Sequence, residues 1–189
     1  MEVRWLGNSC VDMISDERVI IDPHPVIELK GKADKILITH EHDDHFRKET
    51  FEKISEGDTE IYAPKHTLEK FDIDGTAVEP GDEFEGIKVL SCQCWNSEES
   101  VGYLYEGILH NGDSAEFPDK GFVKLAFTAC FPDNYDDYVE GLSKIDPDVV
   151  VPFHYDPDEK LSEAQGLAEL LEKKSIKCKM LKPGEELII

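Results

Sequence analysis

The sequence predicts an α+β fold of layered sheets with helices on the outside. Short apolar runs separated by turn residues fill the first part of the chain, as expected for hairpins. Strand–helix–strand units follow towards the C-terminus, and only a few stretches repeat at helical spacing. With 189 residues and no linker, repeat or low-complexity tract, residues 1–189 are expected to form one domain.

The first strands are read at Val3–Leu6, Cys10–Ile14 and Arg18–Ile21, with Asp16-Glu17 as the turn between the last two. Lys35–Thr39 contains the unbroken apolar run Ile36-Leu37-Ile38, the pattern of a strand covered on both faces. Phe46, Phe51 and Ile54 predict a short helix over Phe46–Ile54. Strands follow at Glu60–Tyr62, Thr76–Val78, Ile87–Cys92, Val101–Tyr105, Gly107–His110 and Val123–Thr128. Turn signals punctuate them at Pro80-Gly81-Asp82 and Glu106-Gly107. Tyr135, Tyr138, Val139 and Leu142 predict a helix over Asp133–Ile145. Val149–Val151 is a buried strand ending at Pro152, and Leu161–Lys174 is the clearest helix, with its lysines in the last turn. Strands at Ile176–Leu181 and Leu187–Ile189 close the chain.

Composition excludes several functions. No apolar run approaches the roughly 20 residues of a membrane span. The opening Met1-Glu2-Val3-Arg4-Trp5 lacks the features of a signal peptide, so a cytoplasmic location is expected. The net charge of −22, from 42 acidic and 20 basic residues, repels polyanions and anionic membranes, so neither nucleic acid nor a membrane is expected as a partner. A small substrate, even an anionic one, stays compatible, because bound divalent ions invert the potential locally. Five scattered cysteines, Cys10, Cys92, Cys94, Cys130 and Cys178, read as reduced thiols rather than a disulfide framework. Cys92 and Cys94 share one face if their stretch is extended.

The chemistry concentrates in His40-Glu41-His42-Asp43-Asp44-His45, which holds three of the chain's seven histidines. In extended backbone the imidazoles of His40 and His42 project to the same side and can meet one ion. Asp44 and His45 follow, free to reach a second. Imidazole with carboxylate suits zinc, and also manganese or iron. The run directly follows a buried strand, which would hold it at a sheet edge. Glu41 and Asp43, between the ligands, are expected to face solvent or to satisfy nearby backbone donors.

The pattern His-x-His-x-Asp-His resembles the signature of the metallo-β-lactamase superfamily. Asn111-Gly112-Asp113-Ser114 resembles the family's Gly-Asp step, and Val151-Pro152-Phe153-His154-Tyr155 its last histidine ligand. Trp5-Leu6-Gly7-Asn8-Ser9 and Ile20-Ile21-Asp22-Pro23 also fit, and together these pieces are similar to the small branch of metal-dependent hydrolases related to ascorbate-6-phosphate lactonase. The resemblance implies a four-layer αββα sandwich with the site at one edge between two sheets. It implies two divalent metals, zinc first among them, with His40, His42 and Asp113 on one ion and Asp44, His45, His154 and Asp113 on the other. A water or hydroxide between the ions would attack the carbonyl or phosphoryl centre of a small ester, lactone or phosphoester. Asp44 would orient that water and take its proton. Asp22 and His24 are expected to orient ligands or to approach the pocket, Tyr155 to line it, His66 to stand near its rim, and His110 to be structural.

This sequence departs from the family pattern at one point. The stretch that normally supplies a further histidine is here Cys92-Gln93-Cys94-Trp95-Asn96-Ser97, and Asn96 takes the matching position. An amide oxygen is a poor zinc ligand beside imidazole, so Asn96 as the substitute predicts a weak first site. Cys94 or Cys92 could serve instead if the backbone turned one of them inward. The departure leaves room for two rivals to the hydrolase: an iron-dependent oxidoreductase of the same fold, and a metal-binding protein without turnover.

Overall fold

The computed structural model describes residues 1–119 and 122–189. Its first half runs β1 (Glu2–Trp5), β2 (Val11–Ile14), β3 (Arg18–Ile21), β4 (Lys35–Leu37), α1 (Lys48–Ile54), β5 (Glu60–Ala63), α2 (Lys65–Phe71) and β6 (Thr76–Ala77). The second runs β7 (Glu83–Phe84), β8 (Ile87–Ser91), β9 (Val101–Tyr105), β10 (Ile108–His110), β11 (Leu125–Ala129), α3 (Tyr135–Ile145), β12 (Val149–Phe153), α4 (Leu161–Lys173) and β13 (Glu186–Ile188). A short 3-10 turn, Pro132–Asn134, leads into α3. The strands form two sheets, one in the order β13-β1-β2-β3-β4-β5-β6 and the other β12-β11-β10-β9-β8-β7.

Alternation along the strands explains the layering. In β3 and β4, Ile21 and Leu37 face the core shared with the second sheet. Their neighbours Ile20 and Ile36 face outward, onto a separate cluster with Phe46, Phe51 and Ile54 of the α1 region and Leu68 of α2. Continuous apolar runs in these strands therefore mean two covered faces. On the far side, Tyr138, Leu142 and Ile145 of α3 and Leu167 and Leu171 of α4 pack onto the second sheet. The result is the expected αββα sandwich, with α1 and α2 on one outer face and α3 and α4 on the other.

Both sheets switch from antiparallel to parallel pairing partway across. β3, β4, β5 and β6 are parallel neighbours, as are β10, β11 and β12. Parallel strands end together, so the carboxyl ends of β3, β4, β10 and β12 gather at one edge. Asp22, the His40–His45 run, Asp113 and His154 all lie just beyond those ends.

Three local differences from the sequence expectations have physical causes. The predicted strand Ile176–Leu181 touches the sheet through a single bridge, Cys178 beside Val150, flanked by Val150 N–H to Lys177 O and Lys179 N–H to Val150 O. The next outward-facing residue of β12 is Pro152, which has no N–H, so the ladder stops there. β12 itself runs through Pro152 to Phe153, since that proline presents its missing donor to the sheet's edge. Helix α2 and strand β7 are too short to show a period in sequence.

One buried cation ties the layers at the opposite end. Lys35, at the start of β4, is 3% exposed, and its ammonium lies 2.7 Å from Glu17, 2.8 Å from Glu85 and 3.2 Å from Glu60. Glu17 and Glu60 belong to the first sheet's end, and Glu85 to the β7–β8 turn of the second. Burial alone would lower the lysine pKa, but the three carboxylates override it and hold it above its ordinary value. Lys35→Met keeps the packed stem and removes the charge, so it should cost about 2 kcal/mol. Thermal unfolding near neutral pH should show a fall in Tm of about 4–8 °C. Because the folded-state pKa is raised, this contribution is complete below about pH 10.4 and fades as pH rises beyond it. A variant as stable as the parent at neutral pH would show that the cluster contributes nothing.

Candidate metal centre

Seven side chains from four chain segments converge at the sheet edge. Ligand atoms of His40, His42, Cys94 and Asp113 lie within 4.8 Å of one another, and so do those of Asp44, His45 and His154. Asp113 stands between the two groups. Its Oδ2 is 3.7 Å from His40 Nε2 and 3.7 Å from Cys94 Sγ. Its Oδ1 is 3.1 Å from His45 Nε2 and 3.3 Å from His154 Nε2. Asp44 Oδ2 completes the second group at 3.3 Å from His154 Nε2.

The histidines are aimed by what their other ring nitrogens touch. Asp22 is fully buried, and its carboxylate accepts the Thr39 N–H at 2.8 Å and the Thr39 hydroxyl at 2.8 Å. It lies 2.7 Å from His45 Nδ1. The Thr39 hydroxyl, having donated to Asp22, accepts from His40 Nδ1 at 3.0 Å. Both rings are thus fixed through Nδ1, which leaves Nε2 as the atom that faces the centre. Asp22 sits in left-handed backbone (φ 50°), where Asp is among the few residues readily tolerated.

The electrostatics follow from this wiring. Burial opposes ionisation of Asp22, but His45 overrides it and the carboxyl stays below its ordinary pKa. Burial also opposes charge on His45, yet Asp113 and Asp22 together raise it well above the ordinary imidazole value. His40 is pushed down to about 3 by burial and by the charge on His45. Asp113 is held far below the carboxylate range by His45 and His154, against the effect of its burial. Asp44 is held low chiefly by its hydrogen bond with His154.

The loop after β8 decides the position that the sequence left open. Its strand ends at Ser91, and the chain turns so that Cys94 points into the centre, 3.4 Å from His40 Nε2 and 3.7 Å from His42 Nδ1. Asn96, expected as the substitute ligand, instead sits exposed in left-handed backbone (φ 59°) and is not on the cleft wall that Cys94 and Trp95 line. Asparagine suits that conformation, so its place there is that of a turn residue. Cys92 instead turns its thiol to Asn111 O at 2.9 Å. Glu41, in the middle of the motif, anchors the same loop: its carboxylate accepts the Glu98 N–H and the Ser97 hydroxyl, each at 2.8 Å. Of the roles expected for Glu41 and Asp43, Glu41 takes the backbone donor and Asp43 faces solvent beside Lys70.

The amino-terminal segment seats the last histidine. His154 has left-handed backbone (φ 60°), and its N–H donates to Asn8 O at 2.8 Å. The Trp5 indole donates to that same carbonyl at 2.8 Å, and its ring stacks on Tyr155 at 4.9 Å. Tyr155 lines the cleft, as expected. His24 does not. It is half-buried beside the Asp43 backbone, off the cleft wall, and its carbonyl accepts the Asn8 amide at 3.3 Å. His66 is the second residue of α2, its N–H donating to the Glu99 carboxylate, and it too is off the cleft wall. His110 bonds Ser9 O at 2.7 Å and accepts the Gly112 N–H at 3.3 Å, which fixes the turn carrying Asp113. Thr39, Asn8 and Trp5 were not singled out as site residues in the sequence. Only their adjacency to the motif, and to the Asn8-Ser9 turn, marked them.

Comparison with known proteins agrees with this arrangement. A family model described as the beta-lactamase superfamily domain matches residues 2–123. The chain belongs to the metallo-β-lactamase superfamily. Among relatives in that superfamily, a UPF0173 protein of Pyrococcus furiosus is 29% identical, covering 87% of this chain and 91% of its own. A UPF0173 metal-dependent hydrolase of Thermus thermophilus is 28% identical, covering 99% and 98%. Two solved structures share the fold. The metallo-β-lactamase fold protein YhfI of Bacillus subtilis gives a TM-score of 0.69 at 16% identity, covering 99% of each chain. A Parabacteroides distasonis protein described as a metal-dependent hydrolase gives 0.78 at 21% identity, covering 94% of this chain and 91% of its own.

The residues present fit a metal. Asp113 Oδ1 is buried without a hydrogen-bond partner while two imidazole nitrogens point at it. Among the described residues no lysine or arginine pairs with Asp44 or Asp113, so the acidic charge of this pocket lacks a protein cation. Asp22→Ala should weaken metal binding by about 10–100-fold by freeing the His45 ring. Competition against a chelator at fixed pH measures this. The parent's own affinity should fall as pH is lowered, because His45 holds its proton above the ordinary imidazole pKa and a metal must displace it. Unchanged affinity in the variant would remove Asp22 from the centre.

Proposed function

We propose that this protein is a metal-dependent hydrolase acting on a small ester, lactone or phosphoester. The observation that carries the proposal is Asp113 standing between two convergent donor groups at the floor of an open cleft. The cleft has a volume of about 1120 Å³, with His42, Asp44, Cys94, Asp113 and His154 all on its wall. Such a space takes a metabolite-sized molecule. The names of the relatives, metal-dependent hydrolases, support the same reaction class. We take zinc as the first choice for both ions, on the strength of the imidazole-rich donor set.

Two bound divalent ions would supply a water acidified towards about pKa 7 and a Lewis acid for the substrate oxygen. The protein's part follows from its own groups. His40 and His42, with Asp113 Oδ2, would hold the first ion; His45, His154 and Asp44, with Asp113 Oδ1, the second. Asp44 is half-exposed at the cleft floor and ionised at neutral pH, so it accepts a hydrogen bond from the attacking water and can take its proton. Its low pKa makes it an orienting acceptor more than a proton store. Trp95, Phe131 and Tyr155 offer apolar walls for the rest of the substrate.

Among the described residues the cleft wall carries Glu116, Asp133, Asp156 and Glu163 against the cation Lys160. Any preference for an anionic substrate must therefore come from the metals themselves. The rival without turnover was motivated by an incomplete first donor set, and Cys94 stands where that set was short. No helix among the described residues is long and apolar enough to cross a membrane.

Assays of the zinc-loaded protein on ester, lactone and phosphoester panels should reveal turnover. Asp113→Ala and His154→Ala should then each lower kcat/KM by about 10³-fold or more. Asp44→Asn should lower kcat by about 10²–10⁴-fold. Turnover that survives Asp113→Ala in a folded variant would place the reaction elsewhere.

A further inference from the structure

We infer that Cys94 is a thiolate ligand of the first metal ion, making that site His40-His42-Cys94-Asp113, and that this sulfur sets its preference for zinc over manganese. The inference rests on the metal-binding reading above, and it concerns the one position where this chain departs from the superfamily's pattern.

The distances carry it. In a tetrahedral zinc site, bonds of about 2.3 Å to sulfur and about 2.1 Å to nitrogen or oxygen put donors about 3.4–3.6 Å apart. Cys94 Sγ lies 3.4 Å from His40 Nε2, 3.7 Å from His42 Nδ1 and 3.7 Å from Asp113 Oδ2. His40 Nε2 and Asp113 Oδ2 are also 3.7 Å apart. These four of the shell's six donor separations match a tetrahedral site to within a few tenths of an ångström, and all six lie within 4.8 Å. A hydrogen-bonded cluster has no reason to make all of them similar. Cys94 has no competing employment, since its remaining contact is a 3.7 Å approach to the adjacent Trp95 carbonyl.

The loop is also built to hold the sulfur in place. The Cys94 N–H donates to Ser100 Oγ at 3.2 Å, whose own hydroxyl donates to Cys92 O at 3.0 Å. Glu41 fastens the far side of the turn through Ser97 and Glu98. Its position in sequence, between two ligand histidines, couples that loop to the motif. In the metal-free protein the thiol keeps its proton, since burial and Asp113 hold its pKa above the ordinary value. A coordinating ion displaces that proton outright, leaving the S–metal bond and one proton released to solvent. Thiolate is a soft donor suited to zinc, whereas manganese favours carboxylate and water oxygen.

Cobalt(II) tests this without any assay of turnover. Added to the metal-free full-length protein, cobalt bound through Cys94 should produce a sulfur-to-cobalt charge-transfer band in the near ultraviolet. Cys94→Ser should lose the band and bind the first ion at least about tenfold more weakly, no less than loss of an orienting partner costs. Cys94→His should bind cobalt without the band and show a reduced zinc-over-manganese preference in competition. Cys92→Ser should keep the band. The thiols of Cys92 and Cys130 are buried and that of Cys178 is half-buried; burial pushes each up to about 12, and none contributes to the donor groups. Two cobalt ions bound with no such band, or a band that persists in Cys94→Ser, would overturn the thiolate and leave the dinuclear reading standing. Absence of cobalt binding altogether would overturn both.

Discussion

The centre depends on keeping one ionised carboxylate, Asp22, out of water. Its oxygens take a backbone N–H and a hydroxyl from Thr39 and face the Nδ1 of His45, so three groups share one buried negative charge. An unpartnered carboxylate there would be far too costly to retain, and its partners are therefore fixed as firmly as it is. The parallel pairing of β3 with β4 makes this arrangement available, because it brings the residues just after both strands side by side. Orientation of His45, of His40 through the Thr39 hydroxyl, and of the site they face all follow from it.

Around that anchor the site is assembled from the ends of strands rather than from any contiguous surface. The first sheet supplies the His40–His45 run and the second supplies Asp113 and His154. Each is held by contacts remote in sequence: His110 reaches Ser9, His154 reaches Asn8, and Glu41 reaches Ser97 and Glu98. Docking the two sheets face to face is thus also the act that brings the donor groups together. The large apolar core between them supplies the stabilisation that holds like-charged ligands in proximity before an ion arrives.

Several features of the site trace back to the conflict between burial and charge. His45 and Asp113 are each driven towards the ionised state by the other and against their burial. His40, close to the same charges, is driven the other way. A bound metal would resolve the conflict by replacing protons with a larger positive charge at the same place. The surplus acidic rim lies outside this balance and leaves recognition of substrate charge to the ions.

The strand and helix periods, the strands' two-faced apolar runs and the His-x-His-x-Asp-His spacing were all legible in sequence, because each depends on residues close along the chain. That was enough for the layered fold and for the four donors of the motif; Asp113 and His154 were implied by the resemblance to the superfamily. The identity of the remaining donor was not legible. Counting along the chain favoured Asn96, and only the turn after Ser91, pinned by Glu41 from 57 residues away, aims Cys94 inward and Asn96 at solvent. Local spacing determined which side chains were available; packing between distant segments decided which of them meet.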